Sequence, residues 1–240
     1  MPDIDLTQFS SSGNDATPLR GYLARPPGEG PWPGVVMIHE VYGLDDIMRR
    51  QAERLANAGF LTLALDLYSD GGARCCLVSI MRASLKGEGK PFLDIERGRA
   101  WLSASSECTG KIGLLGFCMG GNFALLSAKA GFDAVAANYG QVPKNADSVF
   151  EGACPIVASY GKHDWTLRGA AAKLDGAFSR AGVVHDVKEH PKAGHSFLND
   201  ADAGPRVLQP LQRVLGVKPE PESAADAWKR IDSFFLEHLR

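Results

Sequence analysis

The sequence has no long apolar run: its longest clean stretch, Val35 to Ile38, is four residues. A membrane-spanning helix needs about 20, so no membrane partner is expected. There is also no block of like charge. Lysine and arginine number 26 against 28 aspartates and glutamates, for a formal net charge of −2. That balance gives no electrostatic basis for binding nucleic acid or an anionic surface. The opening residues Met1-Pro2-Asp3-Ile4-Asp5 are acidic and hold neither a basic segment nor an apolar core, so no export signal is read. Cysteine is sparse. The five residues Cys75, Cys76, Cys108, Cys118 and Cys154 are odd in number, irregularly spaced and without a C-x-x-C pair. This argues against a disulfide framework, a zinc ribbon or a thioredoxin-type centre, and for free thiols in a reducing cytoplasm. No Cys/His cluster has metal-ligand spacing, and no G-x-G-x-x-G loop with an acidic ribose partner is present. Neither a metal nor an organic cofactor is expected.

What is there is an ordinary globular mixture, 45% hydrophobic and 22% charged over 240 residues. One α/β domain often runs to about 200–250 residues, so the chain 1–240 reads as a single domain. Short β-rich runs alternate with helical patterns. Strands are expected at 3–9, 21–25, 35–39, 60–67, 111–117, 134–139, 156–160 and 184–189. Helices are expected at 45–58, 75–85, 93–104, 119–130, 169–180 and 224–239, the last with a mixed apolar face. Pro26 to Gly34 is a turn cluster. The alternation predicts a mostly parallel central sheet covered by helices on both faces. Its connections should be right-handed, and functional residues should lie at the carboxyl ends of its strands.

One such end carries Gly116-Phe117-Cys118-Met119-Gly120, a G-x-nucleophile-x-G pattern between an expected strand and an expected helix. That context marks a nucleophile elbow. A sharp turn would hold Cys118 out over the sheet in a strained conformation, and Gly116 and Gly120 would let strand and helix close around it. The helix N-terminus favours negative charge on the sulfur, and the Met119 N–H is placed to serve an oxyanion. Most free cysteines are small buried hydrophobes, and Cys108 and Cys154 are read that way. The flanking glycines and the small-residue helix single out Cys118.

An elbow nucleophile is followed in the chain by a carboxylate and then a histidine. His195, in Ala193-Gly194-His195-Ser196-Phe197, lies in the loop after the strand 184–189. The other five histidines precede the nucleophile, sit within or at the end of a strand, flank the carboxylate candidate or ride the last helix. Asp164 directly follows the strand 156–160. It could instead cap a following helix. The expected set is Cys118 as nucleophile, His195 as base and Asp164 as the group that fixes the imidazole tautomer.

These segments, with His39-Glu40-Val41-Tyr42-Gly43-Leu44, Asp66-Leu67-Tyr68, His163-Asp164 and Gly194-His195-Ser196-Phe197, resemble the dienelactone hydrolase (carboxymethylenebutenolidase) family of α/β-hydrolases. The likeness covers nearly the whole chain in order. It implies an α/β-hydrolase fold and a small ester or lactone as substrate. The order Cys118, Asp164, His195 leads to the expectation of a thioester intermediate, and a monomer or homodimer is expected. Glu40 matches a carboxylate beside the thiol that holds the resting cysteine and helps form the thiolate. A carboxylate at a buried strand end is costly unless hydrogen-bonded, which agrees with a special role. The N–H of Val41 would complete the oxyanion hole with that of Met119. The family's arginines that grip a substrate carboxylate fall at Asp70 and Asn199 here. Arg74, or else Arg82 or Arg168, is the candidate replacement, with Tyr68 and Phe197 also expected near substrate. Two other readings stand beside this one: a carboxylesterase or thioesterase with a neutral substrate, and a non-catalytic thiol sensor using Cys75, Cys76 and Cys118.

Overall fold

The computed structural model describes residues 3–9 and 17–240. In chain order the strands and helices are β1 (Asp3–Asp5), β2 (Arg20–Ala24), β3 (Trp32–Ile38), α1 (Asp46–Asn57), β4 (Leu61–Asp66), α2 (Ala73–Lys86), α3 (Lys90–Ala104) and β5 (Cys108–Phe117). Then come α4 (Met119–Leu126), β6 (Ala134–Asn138), α5 (Ala146–Phe150), β7 (Ile156–Gly161), α6 (Ala170–Ala181), β8 (His185–His190), α7 (Gln209–Val214) and α8 (Pro221–His238).

The strands form one sheet in the order β1-β2-β4-β3-β5-β6-β7-β8. β2 pairs antiparallel with both β1 and β4, and all other neighbours pair parallel. Alternate residues of the central strands feed two separate cores. Val36, Ile38 and Leu114 point with Ile95, Phe123 and Phe178 of α3, α4 and α6. Val35, Met37, Leu115 and Phe117 point with Leu55 of α1 and with Trp228, Ile231 and Phe235 of α8. A strand buried on both faces must be apolar throughout, which is why Val35 to Ile38 carries no polar residue. The fold is the helix-covered, mostly parallel sheet that the sequence predicts. Among the described residues, no helix is long and apolar enough to cross a membrane.

Some elements differ from expectation. The first strand stops at Asp5, because its carboxylate accepts the Thr7 N–H at 2.8 Å and turns the chain. The helix expected to reach residue 130 ends at Leu126, where turns carry the chain toward β6. Two short helices, α5 and α7, were not expected. They have too few turns to show a periodic apolar stripe.

Candidate active site

The loops at the carboxyl ends of β3, β5, β7 and β8 meet over the sheet. Cys118 lies between β5 and α4 at φ 54° and ψ −112°. This left-handed setting costs a residue with a Cβ roughly 1–3 kcal/mol. The surroundings impose it: the Cys118 N–H donates to the Asn138 carbonyl at 3.0 Å, and its carbonyl accepts from the Asn122 N–H at 3.1 Å. A Cβ on Gly116 would lie 2.0 Å from the Gly120 carbonyl oxygen, and one on Gly120 would lie 2.3 Å from that of Ile38. Backbone stands on both sides of the turn, so only glycine fits there.

His195 Nε2 lies 3.0 Å from Cys118 Sγ, and its Nδ1 lies 2.5 Å from Asp164 Oδ2. Asp164 is buried, and burial alone would raise its carboxyl pKa. Hydrogen bonds from His195 and Thr166 outweigh that and hold it below the usual range. With Asp164 ionised, His195 Nδ1 is the donor and Nε2 faces the sulfur. Burial would likewise depress the His195 pKa. The charges and hydrogen bonds of Cys118 and Asp164 overcome it and hold the imidazole well above its ordinary value. The capping alternative for Asp164 is also realised. Its Oδ1 accepts from the Thr166 N–H at 3.0 Å and the Thr166 hydroxyl at 2.6 Å, opening a short 3₁₀ turn. One oxygen fixes the loop, and the other meets the imidazole.

Two loops are zipped together to make this contact. The His163 N–H donates to the Ala193 carbonyl at 2.8 Å. The segment 199–222 braces the histidine loop from the other side. Val217 bridges to His195, and the Lys218 N–H donates to the His195 carbonyl at 3.2 Å. A Cβ on Gly194 would sit 2.0 Å from the Gly216 carbonyl oxygen. This segment supports the loop instead of lining the cavity at Cys118.

Glu40 is buried at the end of β3. Its Oε2 accepts from Asn199 Nδ2 at 3.2 Å, and it makes no hydrogen bond to Cys118 among the described residues. Burial raises its pKa, and the nearby His195 charge only partly offsets this. Tyr139 stands between these groups. Its ring lies 5.0 Å from the His195 ring, and its hydroxyl is close enough to Glu40 for each to affect the other's ionisation. Among the described residues neither the hydroxyl nor Glu40 Oε1 has a hydrogen-bond partner. Among the described residues the non-glycine positions with positive φ are Cys118, Tyr139 and Ser196, all at this site.

Val41 and Met119 both border the cavity. Met119 opens a helix, so its N–H has no intrahelical acceptor. Among the described residues neither that N–H nor the Val41 N–H has a backbone partner. The Val41 loop is fixed by His39, to which the sequence assigned no role, and by the hydroxyl of Tyr68. His39 is fully buried, and burial lowers its pKa. Its Nε2 accepts from the Leu67 N–H at 3.1 Å, so the Nδ1 proton goes to the Glu40 carbonyl at 2.6 Å. The Tyr68 hydroxyl donates to the Val41 carbonyl at 2.8 Å. The signal for His39 was its place beside Glu40 at a buried strand end.

The cavity over Cys118 encloses about 310 Å³ and is walled by Val41, Met81, Tyr139 and Leu167, among others, with no lysine or arginine among the described residues that line it. Tyr68 and Phe197, expected to touch substrate, lie one layer behind it. Tyr68 holds Val41, and Phe197 is fully buried against Tyr139. Arg74 is exposed on the first turn of α2 and does not border the cavity. Cys75 and Cys76 line a separate hollow, where the Cys76 thiol donates to the Asp70 carbonyl at 2.7 Å. Among the described residues no three His, Cys, Asp or Glu side chains gather as a metal site.

The site can be set beside known proteins. A carboxymethylenebutenolidase of Rhodococcus opacus is 27% identical over 253 residues, covering 98% of this chain and 92% of that protein. Among solved structures, a dienelactone hydrolase-like promiscuous phosphotriesterase from metagenomic libraries superposes with a TM-score of 0.79 at 24% identity, covering 100% of this chain and 98% of its own. The dienelactone hydrolase of Anabaena variabilis superposes with a TM-score of 0.71 at 20% identity, over 100% and 98% of the two chains. At those identities the superpositions speak for the α/β-hydrolase fold. The sequence model of the dienelactone hydrolase family matches residues 19–239. With its match running through all the loops that build the site, this chain belongs to the dienelactone hydrolase family and is a hydrolase of the α/β-hydrolase superfamily.

Proposed function

We propose that this protein hydrolyses small esters or lactones, with Cys118 as nucleophile, His195 as general base and Asp164 as the carboxylate that orients it. One observation carries the reading. The His195 ring is engaged on both nitrogens, by Cys118 Sγ at 3.0 Å and by Asp164 Oδ2 at 2.5 Å. In this mechanism Nε2 takes the thiol proton and the sulfur attacks the carbonyl carbon. The carbonyl electron pair moves onto oxygen, where the N–H groups of Met119 and Val41 stabilise the charge. Collapse re-forms the C=O bond and breaks the C–O bond, and the leaving oxygen takes the proton from His195. In a lactone that oxygen stays tethered, so the intermediate is a hydroxy thioester. Water then gives a proton to His195 and attacks, the C–S bond breaks, and the sulfur recovers a proton as the acid departs. Glu40, held by Asn199, is the positioning carboxylate beside the pair.

The relative's name, carboxymethylenebutenolidase, identifies a carboxylate-bearing lactone as that protein's substrate. In this chain the Asn199 amide is engaged by Glu40 and the wall around Cys118 is free of cations. A carboxylate there would be desolvated without a partner. This favours an uncharged reacting group, as in a simple ester or neutral lactone. The unpaired thiols fit a reducing compartment such as the cytoplasm.

The test is Cys118→Ala with p-nitrophenyl esters and neutral lactones. Turnover should vanish while circular dichroism is unchanged, and wild type given a slow ester should gain one acyl mass on Cys118. Undiminished turnover in Cys118→Ala would refute the proposal.

A further inference from the structure

Beyond the wall at Cys118 lies a second groove of about 580 Å³, between α2, α4 and the start of α6. It adjoins the reactive cavity: Ser84, Asn122, Gln141, Thr166 and Leu167 line both. Its charged lining residues are Lys86, Lys144, Arg168 and Lys173, with no carboxylate among them. Some cations nearby are neutralised, as Lys90 is by Asp94 and Arg180 by Asp147. Among the described residues these four have no such partner within 4.0 Å. The chain as a whole carries a net charge of −2, so the cluster does not reflect overall composition. The hollow on the other side of α2, which shares Lys86, differs: it mixes Arg82, Lys86 and Lys90 with Asp70, Glu88 and Asp94 and does not include Cys118.

A groove lined by like charges is costly to the folded protein through mutual repulsion, and it focuses anions from solution. Its link to the thiol sets the order along a bound molecule. The reacting carbonyl lies in the uncharged cavity, and a negatively charged group lies further out. We propose that the substrate is an elongated ester or lactone whose uncharged reacting group is tethered to a remote anion, carboxylate or phosphoryl, held by Lys86, Lys144, Arg168 and Lys173. This rests on the hydrolytic reading of Cys118 and supplies its substrate class. It also moves the anion site away from the positions held here by Asp70 and Asn199.

The test uses the purified full chain and matched esters. p-Nitrophenyl butyrate is compared with p-nitrophenyl hemiesters of succinic, glutaric and adipic acid, and with phosphonate-ended acyl esters of the same lengths. Aryl acetates with and without a ring carboxylate place the anion on the leaving-group side instead. At low salt, kcat/KM for at least one anionic series should exceed its neutral match by about tenfold, carried by KM. The preference should shrink as salt is raised to about 0.5 M, where exposed charges are screened. Lys144→Glu/Lys173→Glu should cut the anion-to-neutral ratio by about tenfold, given the few-fold worth of each exposed pair. Lys229→Glu, an exposed reversal on α8, should leave the ratio unchanged. Equal or poorer turnover of every anionic ester, or a ratio untouched in the double variant, overturns this inference alone. Absence of turnover for all esters, neutral ones included, overturns the hydrolytic reading and this inference with it.

Discussion

The backbone at Cys118 offers a stability test that does not depend on chemistry. At φ 54° and ψ −112° a Cβ is strained by roughly 1–3 kcal/mol. Cys118→Ala keeps that Cβ, and Cys118→Gly removes it. Both lack sulfur, so the loss of the thiol and its contact with His195 cancels between them. Glycine also gains freedom in the unfolded chain, which costs about 0.4–1 kcal/mol. The difference leaves Cys118→Gly more stable than Cys118→Ala by about 1 kcal/mol, the opposite of the usual effect of glycine. For a chain of this size that is a rise of about 2–4 °C in Tm. Reversible urea unfolding and calorimetry on the two variants measure it. If the glycine variant is the less stable by 0.5 kcal/mol or more (about half the expected gain), the turn does not store strain and the account of the elbow is wrong.

Other outcomes follow from neighbouring residues. Gly120→Ala places a Cβ 2.3 Å from the Ile38 carbonyl oxygen. It should cost at least the 1–3 kcal/mol typical of overpacking, seen as a lower urea midpoint together with weakened turnover. Asp164→Asn keeps an acceptor for the Thr166 N–H but supplies the wrong partner for the imidazole, so kcat should fall by about 10³–10⁴ with circular dichroism unchanged. For Glu40 the pH dependence has a definite sign. Its folded pKa is raised by burial, so the native state prefers the protonated form and loses stability as pH rises through that folded value. Glu40→Gln should therefore gain stability relative to wild type at pH 8 more than at pH 4, as read by thermal unfolding at both. An equal change at both pH values would show that burial does not raise the Glu40 pKa.

Much of this site is visible in the sequence because its requirements are local. A strand buried on both faces has to be apolar, so Val35 to Ile38 can be read directly. A turn with backbone pressed against both sides has to use glycine at residues 116 and 120, and that spacing marks Cys118. The order of nucleophile, acid and histidine follows from winding the chain around one parallel sheet, which points to Asp164 and His195. What the sequence could not carry were the contacts between distant segments. Residues 199–222 have no periodic stripe, yet they brace the His195 loop. Asn199 meets Glu40 across 159 positions of chain, and His39 and Tyr68 act through backbone carbonyls that no motif reveals. The cations of the second groove lie on separate segments and look like ordinary solvated lysines and arginines until the fold collects them. Local backbone geometry and strand burial are written residue by residue. Which side chains share a cavity, and which lie one layer behind it as Phe197 does, is decided only when the loops at the strand ends pack together.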